Sequence, residues 1–271
     1  MKKPLVSILM PAYNAEKYIG EAIESILNQT FRDFEFIIID DASTDDTWNI
    51  IQKYKTKDKR IITLKNTINQ KICKTLNEGI SIAKGKYIVR MDADDWSFPD
   101  RIKKQYRYME SHRNIIISGG SMLVCDSNLN QYARRDYPTE NEELRKSILR
   151  FSPFSHPTVI FKTKIAKKIG GYHTLYAEDI ELYLKLGKYG VFGNIEDTLI
   201  KYREITSSMT NTKLRITEMH TLKHRLTAVL KYGYNFSFFD LIYNLFQLIS
   251  VFVIPAKLKI YLFNKFRNKS I

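Results

Sequence analysis

Over its first hundred residues the chain alternates two kinds of apolar spacing. Leu5 to Met10, Phe34 to Ile39, Ile61 to Leu64 and Tyr87 to Met91 are short, nearly continuous apolar runs, which read as strands covered on both faces. Between them apolar residues recur at helical intervals. Ile19, Ala22, Ile23, Ile26 and Leu27 mark one helix; Trp48, Ile50, Ile51 and Tyr54 mark a second; Ile72, Leu76, Ile80 and Ala83 mark a third, ended by Gly85. Asn14 is the N-cap candidate for the first helix, and Ser43 or Thr44 for the second. This β-α-β-α-β-α-β order predicts a mostly parallel sheet flanked by helices. In such sheets ligands bind beyond the carboxyl ends of the strands.

Three polar marks fall at those ends: Pro11-Ala12-Tyr13, Asp40-Asp41 and Asp92-Ala93-Asp94-Asp95. Three carboxylates at one strand end repel one another, and a divalent cation among them relieves that repulsion. Mg²⁺ and Mn²⁺ also chelate diphosphates, so the cluster suggests a metal-held nucleotide diphosphate. A lone Asp-Ala-Asp-Asp is more often a solvated loop. The strand-end position and the Asp40-Asp41 partner favour a site. Neither GxGxxG nor a Walker loop is present, which argues against a dinucleotide fold and a P-loop NTPase.

Further along, Asp100 to about His112 reads as a helix, and Ile115 to Gly119, Met122 to Cys125 and Thr158 to Phe161 as strands. Ser127 to Arg150 reads as a loop plus a helix. Gly170-Gly171-Tyr172 is a turn, and Tyr176-Ala177-Glu178-Asp179 leads into a helix carrying Ile180, Tyr183 and Leu184. On spacing alone Glu178 and Asp179 could simply favour a helix N-terminus. His156 could touch acceptor or metal, or be structural; Tyr13 could be a core aromatic; Trp96 could stack on a sugar ring or pack.

A length of 271 residues suits one large α/β domain with appendages, and 44% hydrophobic with 27% charged residues argues against extended disorder. Cys73 and Cys125 read as reduced thiols, and Met1-Lys2-Lys3-Pro4 leads into a strand with no signal peptide visible, so a cytoplasmic setting is expected. The formal charge of +14 asks for an anionic partner, and more than half of the excess follows Lys213. There Phe236 to Ile254 is strongly apolar, with Asp240, Asn244 and Gln247 on one helical face and Phe239, Ile242, Phe246, Ile249 and Val253 on the other. That pattern suits an in-plane helix on an anionic membrane surface better than a span. The competing use is packing on its own domain or on a second subunit of a homodimer. Basic residues beside an apolar helix, with no aromatic-studded sheet, argue against a nucleic-acid partner.

The strings Val6-Ser7-Ile8-Leu9-Met10-Pro11-Ala12-Tyr13-Asn14, Ser25-Ile26-Leu27-Asn28-Gln29-Thr30-Phe31 and Ile38-Ile39-Asp40-Asp41-Ala42-Ser43-Thr44-Asp45 resemble the start of a glycosyltransferase family 2 enzyme. Leu76-Asn77-Glu78-Gly79-Ile80, Ala83 through Asp95 and Pro99-Asp100-Arg101 resemble that family's metal-site region, and Gly170-Gly171-Tyr172 with Ala177-Glu178-Asp179 its acceptor-side segment. The similarity spans about the first 210 residues in order. It implies a GT-A type α/β fold, with a Rossmann-like nucleotide-binding half (1–110), an acceptor-binding half (111–212) and a basic helical extension (213–271). It implies sugar transfer with inversion from a nucleotide-sugar, UDP by default, to a hydroxyl of a glycan or lipid-linked acceptor. The setting would be cell-surface polysaccharide synthesis at the inner face of the bacterial cytoplasmic membrane. Pro11, Ala12 and Tyr13 would lie against base and ribose, Asp41 on the base with Asp40 beside it. Asp92 and Asp94 would serve ribose and a Mn²⁺ or Mg²⁺ ion, with Asp95 close by. Asp179 would be the general base, Glu178 its acceptor-side neighbour, and Lys74 a positive charge near the diphosphate. Two features depart from relatives: Tyr202-Arg203-Glu204-Ile205 lacks the His of a Tyr-Arg-x-His string, and the Gln-x-x-Arg-Trp string of processive synthases is absent, so single addition is expected. The rivals are a sugar nucleotidyltransferase, which would usually show a Gly- and Arg-rich phosphate loop, and a basic nucleic-acid-binding protein.

Overall fold

A computed structural model describes residues 3–204 and 213–270. Its first four strands, β1 (Val6–Ala12), β2 (Phe34–Asp40), β3 (Ile61–Lys65) and β4 (Tyr87–Arg90), lie parallel in the order β3-β2-β1-β4. Every residue of β1, β2 and β4 is buried, which is why these strands read as continuous apolar runs. Successive side chains feed opposite faces. Ile8, Met10 and Ile38 join the core beneath α1 (Ile19–Leu27) and α2 (Thr47–Lys57), whereas Leu9, Ile37 and Ile39 join the one beneath α3 (Lys71–Ile82). Gly79 lets α3 approach β1: a Cβ there would sit 2.1 Å from Leu9 Cδ1.

Neither loop uses its short polar residues as caps. Tyr18 precedes α1 and Asp46 precedes α2, without side-chain capping bonds. Asn14 instead turns left-handed at φ 48°; its N–H donates to Ser43 Oγ (3.0 Å) and its Oδ1 accepts from Thr44 N (2.9 Å). These residues brace the loops after β1 and β2 against each other.

The second half is mixed. After β5 (Trp96–Ser97) and α4 (Arg101–Ser111) comes β6 (Ile115–Cys125), one continuous strand where the sequence suggested two. Ser118-Gly119-Gly120-Ser121 reads as a break. Yet the chain stays extended, and the glycines accommodate close neighbours: a Cβ on Gly120 would meet Leu199 Cδ1 at 2.8 Å. β7 (Gln131–Arg135) pairs antiparallel with β6; it is a polar strand inside the segment expected to be loop and helix, which also holds α5 (Asn141–Ser147). A 3-10 turn (His156–Thr158) leads to β8 (Ile160–Lys162), and α6 (Thr163–Lys168) and α7 (Glu178–Leu186) follow. β8 sits antiparallel between β4 and β6, joining the two halves. β9 (Val191–Arg203) runs parallel to β6 and pairs with β5; its Gly193-Asn194 and Glu196-Asp197 broke the strand pattern in the sequence. The proposed division at residue 212, like Ile205, lies outside the described residues.

Beyond it lie α8 (Leu214–Tyr232), α9 (Phe238–Val253), α10 (Ala256–Arg267) and a short β10 (Lys269–Ser270) on β7. Ala228 and Tyr234 are buried in the same core as Leu182 and Leu184 of α7, and Tyr234 donates its hydroxyl to Leu184 O (3.2 Å). α9 starts with a capping box: Ser237 and Asp240 exchange side-chain-to-backbone hydrogen bonds.

Candidate active site

β1, β2 and β4 end side by side, so their polar ends share one rim. At ~4.8 Å per strand spacing, Asp40-Asp41 and Asp92 stand about 10 Å apart across β1. Pro11 and Ala12 are buried in that rim and Tyr13 is half exposed above it, which removes the core-aromatic option. Asp41 organises the loop before α3: Oδ1 accepts from Asn66 Nδ2 and Gln70 N (both 2.8 Å), and Oδ2 from Lys71 N (2.9 Å). Asp40 is fully buried; its Oδ1 accepts from Ser43 N (3.3 Å), while its Oδ2 has no protein partner. Beside them is a cleft of about 460 Å³ lined by Ala42, Ser43, Thr44, Lys65, Asn66 and Thr67. Lys74 is exposed on the first turn of α3, one turn beyond Lys71.

The carboxylates of Asp92, Asp94 and Asp95 approach within 4.8 Å of one another. Burial, then the charge of Asp92, pushes the Asp94 carboxyl up to about 6. Burial, with Asp94 and Asp92, carries Asp95 well above the usual range. Asp95 Oδ1 accepts from Arg203 N (2.9 Å), but its buried Oδ2 has no protein partner. A group of hard oxygen donors with an orphaned buried oxygen, holding protons it would shed to a cation, fits a divalent ion. Trp96 follows directly; its ring meets Phe98 edge-on and lies under Lys201 Nζ (5.5 Å).

On the other side stand Glu178 and Asp179, in the first turn of α7 behind a left-handed Ala177 (φ 53°). Burial, then Asp179, pushes Glu178 up to about 8. Asp179 is also raised by burial, but the Ile180 N–H and Arg90 oppose that shift. Backbone N–H groups at the helix N-terminus and Arg90 favour the charged form of both carboxyls. Asn77 of α3 fixes the preceding turn, donating from Nδ2 to Tyr172 O (2.7 Å) and accepting at Oδ1 from Tyr172 N (2.9 Å). Gly170 and Gly171 supply its positive φ angles, 78° and 68°. His156 pairs with the Tyr172 hydroxyl (2.8 Å), and burial together with Arg90 holds it neutral.

Two cations here were not picked out from the sequence. Arg90, 5% exposed, is ion-paired with Asp92 and acts electrostatically on Asp94, Asp95, Glu178 and Asp179. Both acidic groups lie within its electrostatic reach, and Asp92 acts on Glu178 in turn. The only signal for it was a charged residue closing an apolar strand. Arg203 donates from Nη2 to Glu21 (2.7 Å) and lies over the Tyr18 ring (4.1 Å), while its buried Nε and Nη1 lack protein partners. It draws the Asp94 carboxyl down and so faces the acidic cluster.

Comparison with known proteins bears on the family and the fold. The family model described as Glycosyl transferase family 2 matches residues 7–170. The putative glycosyltransferase EpsE of Bacillus subtilis is 37% identical over 207 residues, 74% of this chain and 73% of that protein. The UDP-Glc:alpha-D-GlcNAc-diphosphoundecaprenol beta-1,3-glucosyltransferase WfaP of Escherichia coli is 31% identical, covering 85% of this chain and 93% of WfaP. Among solved structures, S. aureus TarS in complex with UDP superposes with a TM-score of 0.68 at 19% identity, over 93% of this chain and 73% of that one. The mannosyltransferase PcManGT of Pyrobaculum calidifontis, in complex with GDP-Man and Mn²⁺, gives 0.64 at 17% identity, over 93% and 70%. The fold is thus the GT-A type that the motifs implied, and the chain belongs to glycosyl transferase family 2.

Proposed function

We propose that this glycosyltransferase moves one sugar, with inversion, from a UDP-sugar to a hydroxyl of a glycan or lipid-linked acceptor in cell-surface polysaccharide synthesis. The observation that carries the reading is the gathering of two acidic groups within electrostatic reach of Arg90 and of each other, Asp92-Asp94-Asp95 and Glu178-Asp179. A displacement needs both: a place for the departing diphosphate and a base on the opposite face of the sugar. The acceptor oxygen attacks the anomeric carbon as Asp179 takes its proton. The bond to the diphosphate breaks, and its electron pair stays on the leaving oxygen. A divalent ion, Mn²⁺ or Mg²⁺, held by Asp92 and Asp94 would neutralise that developing charge. Arg203, with two unpartnered N–H positions, adds positive charge on the same side.

Asp41 favours a uracil base. Three of its roughly four acceptor positions are used by the protein, leaving one for a single ring N–H. Tyr13, Pro11 and Ala12 form the rim on which the base and ribose would rest. The UDP-Glc donor and diphosphoundecaprenol acceptor in the name of WfaP support the same direction, as does the UDP in the TarS complex. An acceptor of that kind would be met at the cytoplasmic face of a membrane.

A thermal-shift panel of nucleotides and nucleotide sugars, with and without Mn²⁺, tests the reading. A ligand at a hundredfold excess over Kd adds about 2.7 kcal/mol of apparent stability. UDP and a UDP-sugar should stabilise the protein only with the metal. Stabilisation by GDP alone would move the base assignment, and no response to any nucleotide would overturn the proposal.

A further inference from the structure

We infer that α9 and α10 form an in-plane seat on an anionic lipid bilayer, with α9 turned the opposite way from a helix of a water-soluble domain. Its polar stripe faces the protein. Asp240 Oδ1 accepts from Arg150 Nε (2.6 Å), Asn244 Nδ2 donates to Leu149 O (2.9 Å), and Gln247 Oε1 accepts from Arg225 Nη1 (2.7 Å). The apolar stripe faces outward: Phe239 is 72% exposed, Phe246 65%, Ile249 60% and Val253 71%. An ordinary surface helix buries that stripe and solvates the polar one.

The exposure is not confined to α9. Among the described residues, all but Tyr13, Ile68, Tyr132 and Tyr189 of the exposed large hydrophobic side chains lie between Ile216 and Phe266. At ~200 Å² per aromatic side chain, the exposed Phe and Tyr side chains here present on the order of 1,000 Å². The largest apolar patch on a monomer is usually ~300–600 Å². No described helix is long and apolar enough to cross a membrane, so the patch suits the headgroup boundary.

Charge selects the occupant. From Phe238 to Lys269 the single acid is Asp240, and it faces inward on Arg150. Lys257 and Lys265 of α10 are exposed and have no ion-pair partner among the described residues, and Lys231 at the end of α8 is alike. A second copy docked about a two-fold axis would set this patch against itself, cations against cations. Anionic headgroups complement both the apolar face and its basic surroundings.

The seat adjoins the acceptor wall. On α8, the His220 ring lies 5.5 Å from that of Tyr176, just before Glu178, and Arg225 holds α9. Five residues separate them, about 7.5 Å of helix. The seat thereby deepens the functional reading above: a lipid-linked acceptor at the bilayer surface is presented close to Asp179.

The full chain is pelleted with sucrose-loaded vesicles of phosphatidylglycerol and phosphatidylethanolamine, or of phosphatidylcholine, without donor. The wild type should pellet with the anionic vesicles. Phe239→Asp with Phe246→Asp should lower the partition more than tenfold, with circular dichroism unchanged. Lys257→Gln with Lys265→Gln should lower it about fivefold per lysine on anionic vesicles only. A wild type left in the supernatant, or Asp variants that pellet like it, would overturn the seat. So would light scattering showing that those variants only turn a dimer into a monomer. UDP-induced thermal stabilisation is read separately, so loss of donor binding and loss of membrane binding remain distinct results.

Discussion

Asp94 provides the sharpest energetic test of the acidic cluster, because it lacks the Arg90 partner that Asp92 has. Its carboxyl is held at about 6 against an ordinary 3.8, first by burial and then by Asp92. That gap corresponds to ~3 kcal/mol against the ionised form. The sign follows from linkage. Between pH ~4 and ~6 the folded protein binds this proton and the unfolded chain does not, so metal-free stability falls as pH rises through that window and levels off above it. Asp94→Asn removes both the buried charge and the repulsion. Without metal it should match the wild type near pH 4 and exceed it at pH 7.5 by up to ~3 kcal/mol. For a chain of this size that is on the order of 5–10 °C in Tm. Differential scanning fluorimetry across pH 4–7.5 with chelator reads the gap directly. Adding Mn²⁺ and UDP should reverse it, stabilising the wild type and leaving the variant unmoved. If metal-free Asp94→Asn melts at or below the wild type at pH 7.5, the carboxylates do not carry this penalty and the argument for a cation fails.

Asp179→Asn should cut turnover by ~10²–10⁴ with UDP affinity within twofold, as measured by single-turnover assay and calorimetry; near-normal turnover would remove Asp179 as the base. Because burial raises Asp179, the acid limb of the wild-type rate profile should have its midpoint above the usual aspartate range, activity falling as pH drops and the base gains its proton. Asp41→Ala strands Asn66 Nδ2 and the Gln70 amide and leaves the Lys71 amide only Asn69 Oδ1, and should cost ~1–3 kcal/mol of stability together with most UDP affinity. Asn77→Ala frees both backbone groups of Tyr172, and should slow transfer while leaving the UDP Kd unchanged; a pure KM effect on the donor would place Asn77 elsewhere in the mechanism.

The donor half was legible because β1, β2 and β4 are buried on both faces, which writes unbroken apolar runs ended by carboxylates. β7 was not, since Gln131, Tyr132, Arg134 and Arg135 make it a polar strand with no apolar alternation to read. β9 was hidden because Gly193 and Asn194 pair in plain register with Ser118 and Gly119, and a register shift after Ile195 passes over Glu196 and Asp197. Arg90 looked like a blemish in an apolar strand, and its position matters only once Asp92 and Glu178, 86 positions apart, are known to converge on it. The spacing of Asp240, Asn244 and Gln247 revealed a striped helix in α9. Which stripe turned inward depended on Leu149, Arg150 and Arg225, residues with no periodic relation to it.

That inward stripe bears on how the protein can be handled. Cutting the chain after Asn235 is the obvious route to a detergent-free sample, and Tyr234 would keep its place on α7. The cut would nevertheless take away Asp240, Asn244 and Gln247, the side-chain acceptors that Arg150 and Arg225 use. Arg225 would keep Nε on Ile148 O but lose both acceptors of its Nη1, and the face of α8 that α9 covers would be opened to water. Repainting the outer stripe with polar residues leaves those acceptors in place, and is the better way to make the enzyme tractable.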